Sequence, residues 1–534
     1  MRRVAPRVAG AALPLVFVGV FFAWPLVAIL SRSLDAGAFG DAMTSGSFQH
    51  IAWFTLWQAV VSTVLTLLLG MPAAYVVARY DFPGKRAFRA FITIPFVLPT
   101  VVVATAFIAM LRPGGPLAFL HWQRGIAPLL IAHVFFNVAV VVRAVGGYWA
   151  NLDPRREEAA RMLGASPARA FRNVTVPSLM PALLAAASVV FLFTFTSFGV
   201  ALLLSDPSHA TLEVEIYRQA VEVFDLPTAA ALAVVQIAAV VAVLFLMGRA
   251  QERSTVTQRL VGSAHAARRP RGRQRIVVAV IILGTTALLG APLLILVWRS
   301  FHAGTAWTLA SYRALGSGAS SAFVSPYTAI RNSVIFAFVA TVIALVVGGI
   351  ASFVIAARRG GATRAMDVAL MLPLGTSAVT VGFGMLIAFD RPPYDWSTHA
   401  WIIPVAHAIV AIPFVIRIVV PALRSIDPRL REAAALLGAP PRRVWREVDV
   451  PIAARAFVVA AGFCAAVSLG EFGATLFLAR PSMPTIPIAI QRLLSRPGEI
   501  NVGQSLAMAT ILMLLTGAIV FAIEHARVRD LGTF

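Results

Sequence analysis

Twelve stretches of this chain are apolar for about 20 residues or more, the length a helix needs to cross the hydrocarbon core of a bilayer. They run roughly over 9–30, 54–78, 90–111, 128–147, 180–203 and 227–248, then 276–298, 330–357, 366–389, 400–420, 455–478 and 504–523. Only helices and closed barrels satisfy their own backbone in lipid, so all twelve are expected to be helical. Composition agrees: 59% of the residues are hydrophobic and 13% charged, against about 25% charged in soluble domains. Prolines inside the stretches (Pro25, Pro95, Pro99, Pro373, Pro413) predict kinks or irregular turns.

The net charge of +22 would suggest nucleic acid in a soluble chain, but here the basic residues sit between apolar runs. They alternate. With the N-terminus inside, 32 of the 45 basic residues fall in cytoplasmic segments, as the positive-inside rule expects. The chain is thus expected in the bacterial cytoplasmic membrane, with both termini cytoplasmic. The Met1-Arg2-Arg3 start followed by an apolar run resembles a signal peptide, but the cleavage site is poor, so an uncleaved first span is expected. One cysteine, Cys464, provides neither a disulfide framework nor a metal site.

The chain repeats itself at an offset of 274 residues. Asp153–Pro177 (DPRREEAARMLGASPARAFRNVTVP) and Asp427–Pro451 (DPRLREAAALLGAPPRRVWREVDVP) share 15 of 25 positions, where chance gives roughly two. Phe198-Gly199 matches Phe472-Gly473 at the same offset. Each half carries six spans, an even number, so the repeat is parallel. The expected fold is all-α: an integral membrane protein of twelve transmembrane helices in two parallel six-helix repeats, residues 1–249 and 276–534. A basic cytoplasmic linker, 250–275, with serines, glycines and seven arginines, joins them.

The repeated segment predicts a helix–turn–helix on the cytoplasmic side. Asp153 is a good cap and Pro154 suits the first helical position. Glu158-Ala159-Ala160 favours helix, and Gly164 fits a left-handed helix end. Ser166-Pro167 then starts a second short helix that returns to the membrane at Pro177. Asp427, Pro428, Glu432, Ala433, Ala434, Gly438 and Pro451 repeat the plan.

Glu-Ala-Ala, then Gly six residues after the Glu, then Val-x-Val-Pro 13 residues further on, resembles the EAA loop of bacterial ABC importer permeases. Val174, Val448, Val176 and Val450 stand where that family has isoleucine or leucine. The resemblance implies a type I permease fold in which the loop is a coupling helix docking on a cytoplasmic ATP-binding subunit, in two copies. It carries docking onto Glu158, Ala159, Ala160, Gly164 and Pro177, and onto Glu432, Ala433, Ala434, Gly438 and Pro451. It also implies an extracytoplasmic solute-binding protein. The chain has no G-x-x-x-x-G-K-[ST] phosphate loop, and its one lysine, Lys85, is followed by arginine. ATP hydrolysis is therefore assigned to a separate subunit, and this chain is not expected to be an enzyme or to carry a cofactor or metal.

Ile131–Asn137, Thr196–Gly199, Glu213–Tyr217, Leu372–Ser377 and Ser468–Gly473 resemble the fused, two-half permeases of thiamine importers and of their ferric-iron relatives. The resemblance implies a small solute, thiamine or ferric iron, as cargo. Among polar residues inside the spans, Glu471 is the main candidate for a path, since an intramembrane carboxylate is costly without a role. Ser468 and Phe472 flank it, and Ser197 and Phe198 are its repeat partners. His133, Asn137 and His407 are weaker candidates, read first as packed structural side chains. The outer segment Ser205–Leu226 carries Asp206, Glu213, Glu215, Glu222 and Asp225 against Arg218 alone, and is expected to be a solvated loop. A twelve-span secondary transporter is the competing class. It should have several intramembrane acids, and one stands out here. A membrane enzyme finds no paired carboxylates or nucleophile–base set.

Overall fold

In the computed structural model, residues 5–34, 40, 44–254, 268–303, 306–316, 325–357, 360–390 and 393–528 are described. Arg2, Arg3, Arg259, Arg358, Arg359 and Arg529, which entered the topology argument, lie outside them, as does half of the expected linker. Ten helices among the described residues are long and apolar enough to cross a membrane. They are α1 (Ala11–Ser33), α2 (Gly46–Arg79), α4 (Ile126–Ala150), α5 (Pro167–Phe195), α6 (Leu226–Gln251), α7 (Arg273–Ser300), α8 (Pro326–Ala357), α10 (Ile402–Arg424), α11 (Pro441–Gly470) and α12 (Glu499–Ile523). The expected third and ninth spans are not straight. Each is a pair of helices bent by 100°: α3, Lys85–Val97 with Thr100–Leu111, and α9, Gly361–Gly375 with Ala378–Ala388.

The bend is the same in both halves, and the chemistry that makes it differs. In α3, Leu98 and Pro99 are extended (ψ 143° and 136°), because the proline ring disfavours helical geometry in the residue before it. In α9 the extended residues are Thr376 and Ser377, and the Ser377 hydroxyl accepts from the Val379 N–H at 3.1 Å to cap the second leg. Pro95 and Pro373 lie just before the two bends, as expected of kinking residues, whereas the helix α10 continues through Pro413. The fifth and eleventh spans are also shorter than expected. They end at Phe195 and Gly470, and the chain resumes as short helices at Gly199–Leu204 and Gly473–Leu478.

Close packing inside each half rests on equivalent contacts. A Cβ on Gly70 of α2 would stand 2.9 Å from Val141 Cβ of α4, and one on Gly348 of α8 would stand 2.8 Å from Val415 Cβ of α10. Small residues let transmembrane helices approach where no hydrophobic effect drives them together.

The first span of each half packs on the other half. The helix that includes α1 lies against α8 and the second leg of α9, with Pro25 at Gly384. Helix α7 lies against the second leg of α3, and its Arg299 donates to Ala109 O at 2.7 Å. The two repeats are thus interlocked. The expected linker is also shorter than its composition suggested: helix continues to Ser254 and begins again at Arg273. Its Arg268 pairs with the end of α2, through Arg268 N to Arg79 O (3.1 Å) and Asp81 N to Arg268 O (3.0 Å).

Gly70→Leu and Gly348→Leu should each overpack a helix pair and cost about 1–3 kcal/mol. Gly147→Ala, where an added Cβ meets nothing within 4 Å, should be neutral. Melting temperature in detergent, by intrinsic fluorescence, separates the two outcomes.

Candidate functional site

The repeated loop folds as its sequence predicts. Helices Arg155–Met162 and Pro428–Leu436 open with carboxylates that accept backbone N–H groups, Asp153 from Arg155 (3.0 Å) and Asp427 from Arg429 (2.9 Å). Both end on left-handed glycines, Gly164 at φ +87° and Gly438 at φ +80°. The N–H of Ala165 bonds Ala160 O and that of Ala439 bonds Ala434 O, at 3.1 and 3.0 Å. These six-to-one bonds close the helix ends as a Schellman turn does. The second short helix is not separate: it runs through one π-turn, Phe171–Thr175 or Trp445–Asp449, into α5 or α11.

Glu158, Ala159, Glu432 and Ala433 are exposed, Ala160 and Ala434 are half-buried, and Pro177 and Pro451 are exposed. Beside them stand residues that the sequence reading passed over. Met162 and Leu163 are 88% and 89% exposed, and their repeat partners Leu436 and Leu437 are both 89% exposed. The signal was available, since an apolar pair precedes the glycine in both copies of an otherwise polar helix. Exposed apolar pairs repeated at the same place in both halves are candidates for an interaction surface.

A cross-link ties each loop helix to the turn that follows. The Thr175 hydroxyl donates to Glu157 Oε2 at 2.9 Å, and Arg431 Nε donates to Asp449 Oδ1 at 2.7 Å. Residues 157 and 431, and 175 and 449, are repeat partners. The contact is kept while its chemistry changes from a neutral donor on a carboxylate to an ion pair.

At the other end of α5 and α11, the breaks bring the halves together. Phe198 stacks on Phe472 across the boundary, ring centroids 5.5 Å apart and planes 24° apart. Both rings are buried, and they are repeat partners. Gly199 is required here, because a Cβ would stand 2.4 Å from Thr100 Oγ1 and 3.2 Å from Phe472. Ser197 is buried in the same break.

Glu471 lies in the matching break, and its carboxylate is engaged by backbone. It accepts from Ala474 N at 3.0 Å at the start of the Gly473–Leu478 helix, as an N-cap does. His407 bridges the helices around it, with Nδ1 2.7 Å from Ser468 Oγ and Nε2 2.7 Å from Thr475 Oγ1. His133, its repeat partner, contacts Ser62 at 3.0 Å, and Asn137 Nδ2 donates to His133 O at 2.9 Å. These side chains are buried and packed.

The outer segment departs from expectation. Glu213 is fully buried and Glu215 is 5% exposed, so Ser205–Leu226 is not a solvated loop. The helix Leu212–Tyr217 folds back into the protein, and its first N–H donates to Thr55 Oγ1 of α2 at 2.9 Å. Glu215 is held by Arg218 and Gln219. Burial opposes its charge, and those donors outweigh burial to hold its carboxyl below the usual range. No group of three or more His, Cys, Asp or Glu able to hold a metal occurs among the described residues.

With this geometry in place, similarity to known proteins defines the class. The model of the family described as "Binding-protein-dependent transport system inner membrane component" matches residues 66–256 and 354–530, one copy in each half, and the chain belongs to that family. It is a multi-pass inner-membrane transport permease and not an enzyme. The chain is 27% identical to the thiamine transport system permease protein ThiP of Brucella abortus (strain 2308) over 526 residues, 93% of this chain and 92% of that protein. It is 25% identical to the probable ABC transporter permease protein y4fN of Sinorhizobium fredii, over 95% of this chain and 94% of that one. The sulfate transport system permease protein CysT of Salmonella typhimurium is 29% identical over 45% of this chain and 90% of its own length. A solved bacterial ABC transporter that imports alginate aligns with TM-score 0.39 at 16% identity, over 45% of this chain and 93% of its own. The secondary-transporter alternative falls to the family match.

Replacing Glu471 by Leu removes the cap on the Gly473–Leu478 helix and should cost about 1 kcal/mol. Glu471→Gln keeps an accepting oxygen and should cost less. Thermal unfolding of the two variants in detergent checks the order.

Proposed function

We propose that this chain is the whole transmembrane pathway of a binding-protein-dependent ABC importer whose cargo is thiamine. The observation that carries the coupling part is the pair of equivalent loop helices. Each is closed by a left-handed glycine and presents an exposed apolar pair beside an exposed Glu-Ala. Two copies of a cytoplasmic ATP-binding subunit dock there, one on Glu158, Ala159, Ala160, Gly164 and Pro177 and one on Glu432, Ala433, Ala434, Gly438 and Pro451. Met162-Leu163 and Leu436-Leu437 fill apolar pockets on those subunits. This places both termini in the cytoplasm.

The halves, 1–249 and 276–534, move as the ATPase dimer closes and opens. The Glu157–Thr175 and Arg431–Asp449 contacts carry that movement into α5 and α11, which end at the stacked Phe198 and Phe472. Parting these rings opens a path lined by Ser197, Phe198, Ser468, Glu471 and Phe472. A solute-binding protein delivers cargo on the outer side. Thiamine is favoured over ferric iron because permeases named for thiamine transport match over nearly the full length of both chains.

Glu158→Lys with Glu432→Lys should abolish transport, and retained transport with normal ATPase recruitment would sink the docking assignment. Asp at positions 162, 163, 436 and 437 should prevent co-purification of the ATPase while leaving the permease folded. Arg431→Glu should uncouple ATP hydrolysis from uptake, and adding Asp449→Arg should restore coupling if the ion pair is the link. For cargo, the binding protein is titrated with thiamine and with ferric iron. Tight binding of iron alone would overturn the thiamine assignment.

A further inference from the structure

Glu213 is a carboxylate buried at the boundary between the halves with no cation beside it among the described residues. It lies at the start of the Leu212–Tyr217 helix and has no exposed surface. Its Oε1 accepts from Gln236 of α6. The Ser377 hydroxyl, at the bend of α9 in the other half, is a second hydrogen-bonding neighbour of the same carboxyl. Among the described residues no cationic side chain pairs with the group.

Burying a carboxylate costs several kcal/mol unless it is paired and hydrogen-bonded. Pseudo-symmetry shows that the fold does not need it. Between the halves the offset is 274 residues from α4 onward and 278 over α2 and α3, where Gly70 matches Gly348 and Pro95 matches Pro373. By those offsets the counterparts of Glu213, Gln236 and Ser377 are Pro487, Thr510 and Pro99. Thr510 satisfies itself on Leu506 O at 2.9 Å. The second half therefore builds the same corner with two prolines and a self-contained threonine. The polar trio is an addition to the fold.

One turn after Glu213, on the same helix face, Tyr217 sits 5.8 Å from Phe198 and 5.9 Å from Phe477, ring centre to ring centre. The short helix that carries Glu213 thus also carries a ring packed against the Phe198–Phe472 closure. A buried carboxylate one helical turn from such rings suits an organic cation, through direct charge and cation–π attraction. Glu471 cannot serve in the same way while its carboxylate caps a helix.

We propose that Glu213 is the countercharge for cargo in this permease, receiving a small organic cation as the aromatic closure parts. This rests on the permease reading above and assigns the charge class of its substrate to one residue.

The test uses the full chain with its ATPase and binding protein in proteoliposomes, in a Cys464→Ala background that removes the one native thiol. Ser377→Cys provides a reporter beside Glu213, and Tyr217→Cys provides a second should the first perturb the bend. Each is challenged with trimethylammonium-ethyl and with sulfonato-ethyl methanethiosulfonate, nucleotide-free and nucleotide-trapped. Modification should occur in the trapped state, with the cationic reagent favoured roughly tenfold or more. Glu213→Gln should collapse that ratio toward one, and Glu213→Asp should keep most of it. Lack of reaction at both reporters, or a ratio indifferent to Glu213→Gln, overturns the proposal. Uptake of labelled thiamine is measured in parallel. A reporter variant with Glu213 intact that shows the charge preference and takes up no thiamine sinks the cargo assignment and leaves Glu213 standing. Thiamine uptake with no charge preference does the reverse.

Discussion

Inside a bilayer a peptide group without a partner costs several kcal/mol, and lipid offers none. This chain nevertheless interrupts the third and fifth spans of each half. The interruptions are possible because they meet one another. Gly199 lies against Thr100 at the bend of α3, Gly473 against Ala378 and Val379 at the bend of α9, and Gly470 of one half against Pro99 of the other. Each irregular turn is buried in protein by another irregular turn. The orphaned groups find local partners, such as Leu98 N on Pro95 O, Thr376 N on Pro373 O and Ala474 N on the Glu471 carboxylate.

The long helices within each half are packed through close glycine contacts, whereas the boundary between halves includes bends, short helix ends and the stacked Phe198 and Phe472. The exchange of first spans, α1 onto the second half and α7 onto the first, ties the halves together at the periphery. The loop helices stand at the far ends of α5 and α11 from the stacked Phe198 and Phe472.

The two halves solve equal mechanical problems with unequal chemistry. A proline bends α3 where a serine cap bends α9. A threonine on a carboxylate stands where an ion pair stands in the other copy. Geometry is retained because the two halves must fit each other. Side-chain chemistry is free to drift wherever it only holds shape, so the departures that add a cost, Glu213 above all, are the ones that carry information.

The sequence by itself determined the helical membrane class, the two-half plan and the loop. Each depends on local signals: apolar length, an offset repeat, and a glycine placed where a helix must end left-handed. It also held two signs that were readable and passed over, the apolar pair before each loop glycine and the match of His133 to His407. Only the tertiary structure decided that α3 and α9 turn through 100°, that Phe198 meets Phe472, and that Glu471 caps a helix. It also decided that Glu213, in a segment with the composition of a solvated loop, is buried between the halves. Composition reports what a segment would prefer alone, whereas burial depends on which other segments fold over it. The pairings of Phe198 with Phe472 and of Glu213 with Ser377 join residues more than a hundred positions apart, beyond the reach of any local pattern.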